Sequence, residues 1–224
     1  MGRVIPFAPA AEVFEQEVVA LLREDFPKGW IVHDMIVSEE QVDVLTILPQ
    51  GIAVIECKSY TGQICGDPNG PWVARKGAQE TVIEPRNRNP YRQALTKAFA
   101  VGDFLQAILQ ANPQLGVEEQ PWIHACAVFP EGAELSGLRS LPVDPKIVLP
   151  HGQGKAIVFH PSHLSWYLGN LNNRLASELA SALVRALGGK ADGTWMEEKA
   201  IQNKREKNPI RWKLDIEWEE NTKV

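Results

Sequence analysis

Residues 41–58 constrain the fold of this chain more than any other stretch. Apolar runs on either side of residues 49–51, Pro-Gln-Gly, predict two short β-strands joined by a turn. Asp43 opens the first strand, and Glu56 and Lys58 close the second. Because successive side chains in a strand alternate between its faces, Glu56 and Lys58 lie on the same side. The pattern therefore gathers two carboxylates and a lysine on neighbouring strands.

Such a grouping suits a divalent cation and a phosphate. Mg²⁺ prefers hard oxygen ligands, which Asp43 and Glu56 supply from two sides. A bound Mg²⁺ provides the positive charge and the activated water that phosphodiester hydrolysis needs. Lys58 would orient or deprotonate that water, or neutralise charge on the phosphorane, and the sequence leaves these roles open.

The alternative is a surface hairpin in which Glu56 and Lys58 form an exposed ion pair of little energetic value. Residues 52–57 argue against it. They are almost all apolar, which predicts a strand covered on both faces. A polar ending on such a strand breaks its pattern, and such breaks favour a functional site.

An amphipathic helix is predicted over residues 11–25. Glu15 falls on the same stripe as Val18 and Leu22, at the N-terminal end of the face that seeks the core. The carboxylate is either a partner of the helix dipole or a site residue that points inward. Taken alone, the helix favours the dipole interpretation.

A second helix is predicted over residues 90–109, with Asn89 as its N-cap and Gln93 in its first turn. Between residues 85 and 102 the chain has basic residues and no acid. Such a group would neutralise DNA phosphates, although a solvated basic helix face explains it equally well. Because the net charge of the chain is −5, any nucleic-acid binding must be local. The candidate DNA-binding residues are Arg86, Arg88, Arg92 and Lys97.

The remaining pattern completes an alternation of strands and helices. A short hairpin is expected within residues 62–74. Further strands are predicted at 30–37, 81–83, 122–129, 146–149 and 156–159, and further helices at 161–175 and 177–187. We therefore expect one domain over residues 1–189, followed by a charged tail or linker over 190–224.

Composition fits a globular cytoplasmic protein. Apolar residues make up 44% and charged residues 23% of the 224. No apolar run is long enough for a membrane span, and no signal peptide is apparent. Three cysteines without paired spacing predict reduced thiols. His160 and His163 flank a Pro-Ser pair at a predicted helix start, where surface histidines are expected more often than a metal site.

The order of these features resembles the nuclease-related domain, NERD, of the PD-(D/E)XK phosphodiesterase superfamily. The resemblance covers residues 10–130. It rests on an ordered set of motifs: Glu15, Val42-Asp43, Gly51-Ile-Ala-Val-Ile-Glu56-Cys-Lys58, Gly62, Trp72 and Asn89-Pro90-Tyr-Arg-Gln93-Ala94.

The resemblance implies a restriction-endonuclease-like α/β core, with a central mixed β-sheet flanked by α-helices, and Mg²⁺-dependent cleavage of DNA, with Mn²⁺ as a substitute. It assigns Asp43 and Glu56 as metal ligands and Lys58 as the catalytic lysine. Glu15 is then the acid of the first helix, and Gln93 the polar residue of the following one. A partner or fused domain of the helicase type is also implied. The acidic net charge and the charged stretch after residue 189 favour the alternative of an inactive DNA-binding or docking module.

Overall fold

The computed structural model describes residues 3–6, 13–83, 88–117, 120–138, 156–172, 175 and 177–187. Ten strands and four α-helices occur in these ranges. The strands are β1 (Arg3–Pro6), β2 (Trp30–Val37), β3 (Glu40–Leu48), β4 (Gly51–Cys57), β5 (Gly62–Cys65), β6 (Trp72–Lys76), β7 (Gln79–Ile83), β8 (Ile123–Val128), β9 (Ala133–Gly137) and β10 (Ala156–Phe159). The helices are α1 (Val13–Asp25), α2 (Pro90–Ala111), α3 (Pro161–Gly169) and α4 (Ser177–Ala186).

Six strands form the main sheet in the order β1-β2-β3-β4-β8-β10. Strands β2, β3 and β4 are a meander of antiparallel neighbours, while β1 runs parallel to β2, and β8 runs parallel to both β4 and β10. A second sheet has the order β7-β6-β5-β9. The predicted hairpin over residues 41–58 and the α/β core with a mixed sheet flanked by helices are confirmed.

Helices cover the two faces of the main sheet and create two apolar layers. One layer contains Val18 and Leu22 of α1 together with Leu164 of α3. The other contains Val101 and Leu105 of α2, and the second sheet adds to it at one end. Strand β4 lies between β3 and β8 and is buried along its whole length, which explains why its sequence is nearly all apolar.

Helix α2 begins where its N-cap is fastened to the loop between β5 and β6. The Asn89 side chain is fully buried and accepts the backbone N–H of Arg92. Its amide group donates to the carbonyl oxygens of Gly70 at 2.9 Å and Pro68 at 3.2 Å. Because the Asn89 side chain bonds both to the first turn of α2 and to the carbonyls of this loop, it fixes the start of the helix against the second sheet.

The limits of some elements differ from those predicted. Strands β1 and β9 were not predicted; both are short and pair with strands that are distant in sequence. Helix α3 ends at Gly169 rather than continuing to residue 175. The predicted strand at 146–149 and the predicted tail at 190–224 lie outside the described residues. Among the described residues, no helix is long and apolar enough to cross a membrane.

Candidate active site

Asp43 and Glu56 meet where strands β3 and β4 separate. The ladder between these strands ends at the pair Val44 and Ile55. Beyond this pair, a side chain of β3 accepts the hydrogen bond from the β4 backbone: Asp43 Oδ2 accepts the backbone N–H of Cys57 at 2.8 Å. Strand β4 continues to pair with β8 past this point, so Glu56 stays rigidly held. The two carboxylates thus lie at an opening in the sheet.

Lys97 of helix α2 bridges the two carboxylates. Its Nζ donates to Asp43 Oδ1 at 2.8 Å and also to Glu56 Oε2. The residue is 7% exposed. The sequence prediction assigned Lys97 to the DNA-binding group, whereas the structure directs its ammonium to the two acids.

A signal for this placement was present in the sequence. Lys97 lies three residues after Ala94 and four before Val101, both of which are buried on α2. It is therefore a single cation on an apolar stripe, where a charged residue needs a partner of opposite sign.

Lys58 completes the cluster from the end of β4. Its Nζ lies 2.8 Å from Glu56 Oε1, and its side chain is 15% exposed. The alternative of an exposed ion pair on a surface hairpin is thus not what the structure contains, because Glu56 itself is 1% exposed. Asp43, Glu56 and Lys58, which the sequence placed together, are brought together by the fold.

Burial and charge act against each other in this cluster. Burial raises the pKa of Glu56, the Asp43 charge raises it further, and the two lysines only partly offset this increase. Burial lowers the pKa of Lys58 and of Lys97, but the charges of Glu56 and Asp43 outweigh burial, and both pKa values are raised. Both lysines are therefore ammonium ions at neutral pH.

Glu15 lies on the α1 side of the sheet, opposite the layer that contains α2. It is buried on α1, and Val18 and Leu22 of its stripe pack in the same layer as Cys57. Burial raises the pKa of the Cys57 thiol, and the charges of Asp43, Glu15 and Glu56 add to this effect. Glu15 thus belongs to the electrostatic environment of the site, through the residue that follows Glu56.

Gln93 and two of the predicted arginines lie at the N-terminal end of α2. The Gln93 side chain donates to the backbone carbonyl of Arg88. Arg92 is exposed, and its guanidinium donates to the carbonyl of Pro68 at 3.2 Å and to the Asn69 side chain. Arg88 is exposed, while Arg86 lies outside the described residues. Exposed positive charge thus lies at Arg92, in the first turn of α2, and at Arg88, just before the helix.

The three cysteines form no disulfide, and His160 lies at the start of a helix. Cys57, Cys65 and Cys126 are free, as predicted. His160 precedes α3, where its Nδ1 lies 3.0 Å from the carbonyl oxygen of Pro130. The predicted helix start at this point is confirmed.

The sequence profile of the nuclease-related domain family matches residues 10–130, which is more than half of the chain. The chain belongs to the nuclease-related domain family. No curated protein and no solved structure matches it. The NERD match includes α1, strands β2 to β7 and α2. Asp43, Glu56, Lys58 and Lys97 therefore all lie inside it.

The donor chemistry of the NERD cluster fits a magnesium ion. Mg²⁺ is usually held by one or two carboxylates and several waters, and Asp43 and Glu56 provide two hard carboxylates at one opening. In the part of the chain that the structure describes, no group of three or more histidine, cysteine or acidic residues has the arrangement to hold a metal. Asp43 and Glu56 are the acids that could hold such an ion, and the ammonium of Lys97 lies between them.

Proposed function

We propose that this NERD protein is a Mg²⁺-dependent deoxyribonuclease of the PD-(D/E)XK type, in which Mn²⁺ substitutes for Mg²⁺. The observation that supports the proposal is the convergence of Asp43, Glu56 and Lys58 at the separated ends of adjacent strands. Glu56 is held by a central strand rather than by a loop, which favours the fixed geometry that catalysis needs.

The reaction is the hydrolysis of one phosphodiester bond. The oxygen of water forms a bond to phosphorus, the bond from phosphorus to the leaving oxygen breaks, and that oxygen gains a proton as the attacking water loses one. When bound by Asp43 and Glu56, Mg²⁺ supplies positive charge on the phosphate and a water of lowered pKa. The protein supplies the placement of these groups and additional charge.

Lys58 serves as a charged group in this reaction. Burial lowers its pKa, but the Glu56 charge, the hydrogen bond to Glu56 and the Asp43 charge together raise it by more, so Lys58 is protonated at neutral pH in the metal-free protein. An ammonium neutralises the negative charge that develops on the phosphate oxygens and does not accept a proton from water. Of the roles that the sequence left open, charge neutralisation is the one that we propose.

Exposed arginines at the start of α2 would contact the DNA backbone. Arg88 is exposed at this end of the helix, and Arg92 is exposed while bonded to the loop below it. Guanidinium groups bind phosphate oxygens in a bidentate manner, and such contacts give affinity without sequence specificity. We propose that they hold the duplex beside the cluster despite the net charge of −5.

A plasmid nicking assay tests the proposed reaction. The wild-type protein should cleave DNA in Mg²⁺ or Mn²⁺ and not in EDTA. Asp43→Asn and Lys58→Met should each lower the cleavage rate by about 100-fold or more, because they remove a metal ligand and a charge that stabilises the transition state.

Two exposed residues provide matched controls for these substitutions. Asp103→Asn on α2 and Lys76→Met on β6 make the same chemical changes on the surface and should leave the rate unchanged. Cleavage that persists in EDTA, or that Asp43→Asn leaves intact, would contradict a Mg²⁺-dependent mechanism at this site.

A non-catalytic DNA-binding module is the second candidate, and one observation favours it. Lys97 and Lys58 already neutralise both carboxylates without a metal. In such a module, DNA affinity would not depend on Mg²⁺ and would survive Glu56→Gln. A fluorescence-anisotropy titration of labelled DNA with the protein, in Mg²⁺ and in EDTA, separates the two functions. If the DNA-binding module is the correct one, a helicase-type partner is the next protein to test for binding.

A further inference from the structure

Three of the four carboxylate oxygens of the cluster accept a hydrogen bond, and the fourth lies beside an ammonium. Asp43 Oδ2 accepts the N–H of Cys57, and Glu56 Oε1 lies 2.8 Å from Lys58 Nζ. Asp43 Oδ1 and Glu56 Oε2 both accept from Lys97. A divalent cation that bridges Asp43 Oδ1 and Glu56 Oε2 would take the position that the Lys97 ammonium occupies between them.

Lys97 is the donor that such a cation replaces most directly. It is the ammonium that the two acids share, whereas Cys57 donates from the backbone of a strand and cannot withdraw. A lysine ammonium is carried by a flexible stem of four carbons, so the charge can move away while the backbone stays in place. Helix α2 holds that backbone through the anchored cap at Asn89.

From this arrangement we infer that Lys97 is an internal counter-ion that competes with the divalent cation for Asp43 and Glu56. In the metal-free protein it keeps two buried carboxylates compensated, which would otherwise be costly. Metal binding displaces it from both oxygens. The inference rests on the metal-binding part of the proposed function and does not require DNA cleavage.

Competition predicts a specific effect of removing the ammonium. Lys97→Met keeps an unbranched apolar side chain, one atom shorter, and removes the charge and the donor. By isothermal titration calorimetry, this variant should bind Mn²⁺ about tenfold more tightly than the wild type, or better, because no bond to Lys97 is broken on binding. In EDTA its melting temperature should fall, and Mn²⁺ should raise it by more than in the wild type.

Lys58→Met distinguishes direct competition by Lys97 from a general rise in metal affinity that any loss of positive charge near the site would cause. It removes the same charge from beside the same Glu56, but from the other carboxylate oxygen. Its Mn²⁺ affinity should stay within about threefold of the wild type. Equal gains in the two variants, or no gain in Lys97→Met, would overturn the inference.

A measurement on the wild-type protein does not depend on whether a variant folds. Acetylation by an N-hydroxysuccinimide ester, read by mass spectrometry, reports how accessible each lysine amine is. Lys97 should be protected in EDTA and become labelled when Mg²⁺ is added, while the exposed Lys76 is labelled equally in both. Labelling of Lys97 that does not change with Mg²⁺ would show that its ammonium stays in place.

The two proposals can fail separately. If Mg²⁺ releases Lys97 and Lys97→Met binds Mn²⁺ more tightly, but DNA is not cleaved, the counter-ion role stands and the nuclease proposal fails. If DNA is cleaved with Mg²⁺ while Lys97 stays protected and its removal does not increase affinity, the reverse holds.

Discussion

At the scale of single residues, Glu56 is the costliest member of the cluster. It is 1% exposed and faces the negative charge of Asp43, and these two effects raise its pKa despite two neighbouring ammonium groups. A raised pKa means that the ionised carboxylate is less stable in the folded protein than in water. Such a position is expected where a charge is kept for function rather than for stability.

Glu56→Gln should therefore separate stability from activity. We expect the variant to lose the proposed cleavage by about 100-fold or more, because a proposed metal ligand is removed. Its melting temperature in metal-free buffer at neutral pH should stay equal to or above that of the wild type. Thermal denaturation followed by circular dichroism, in EDTA, checks the second part. A clear drop in melting temperature would mean that the ion pairs with Lys58 and Lys97 outweigh the cost of burial.

At the scale of elements, the β2–β3 pairing has a kink at the position opposite Asp43. Asp34 of β2 has left-handed backbone geometry, with φ of 54°, and lies between the paired residues His33 and Met35. Their partners on β3 are Val44 and Val42, so Asp43 lies opposite the kink. The regular alternation of side chains is broken there: Val42 packs on the α2 side, whereas Val44 packs on the α1 side.

A carboxylate holds the start of α3. Glu131, in the turn after β8, accepts the backbone N–H of Ser162 at 2.9 Å in the first turn of α3. Partial burial alone raises the pKa of Glu131, but the hydrogen bonds from Ser162 outweigh it, and the pKa is lowered. A carboxylate at a helix N-terminus is also favoured by the helix dipole.

Glu131→Gln should lower stability in a pH-dependent manner. Because the folded-state pKa is lowered, the stabilising contribution is present above the usual value of 4.5 and is lost as pH falls through the folded-state pKa. We expect a loss of about 0.5 kcal/mol at pH 7 that disappears as the pH falls below the folded-state pKa, measured from melting temperatures over the acidic range. Glu24→Gln, at the exposed C-terminal end of α1, should cause no loss at pH 7.

At the scale of the whole molecule, Trp72 joins the second sheet to the main one. Its fully buried ring stacks on Phe129, which follows β8, with ring centroids 6.1 Å apart. Its Nε1 donates to the Asp67 carbonyl, in the same loop that holds Asn89. A Cβ at Gly66 would come within 2.2 Å of the ring, so glycine is needed there to let the indole approach.

Trp72→Ala should destabilise the protein by about 4 kcal/mol, since it leaves a large cavity and removes an indole hydrogen bond. Urea denaturation provides the measurement. Val82→Ala, on the exposed face of β7, should change stability by less than about 0.5 kcal/mol. If Trp72→Ala costs no more than this control, the two sheets do not depend on the indole for their packing.

The sequence by itself determined those features of this protein that depend on neighbouring residues along the chain. The turn at residues 49–51, the apolar run of β4 and the Asn89 cap each specify an element through its own residues, and the alternation along β4 puts Glu56 and Lys58 on one side. The tertiary structure alone decided how α2 crosses the sheet, and with it the placement of Lys97 between Asp43 and Glu56. It also placed Glu15 on the opposite side of β4. These contacts join residues that are tens of positions apart, and their geometry depends on packing between layers rather than on any local pattern.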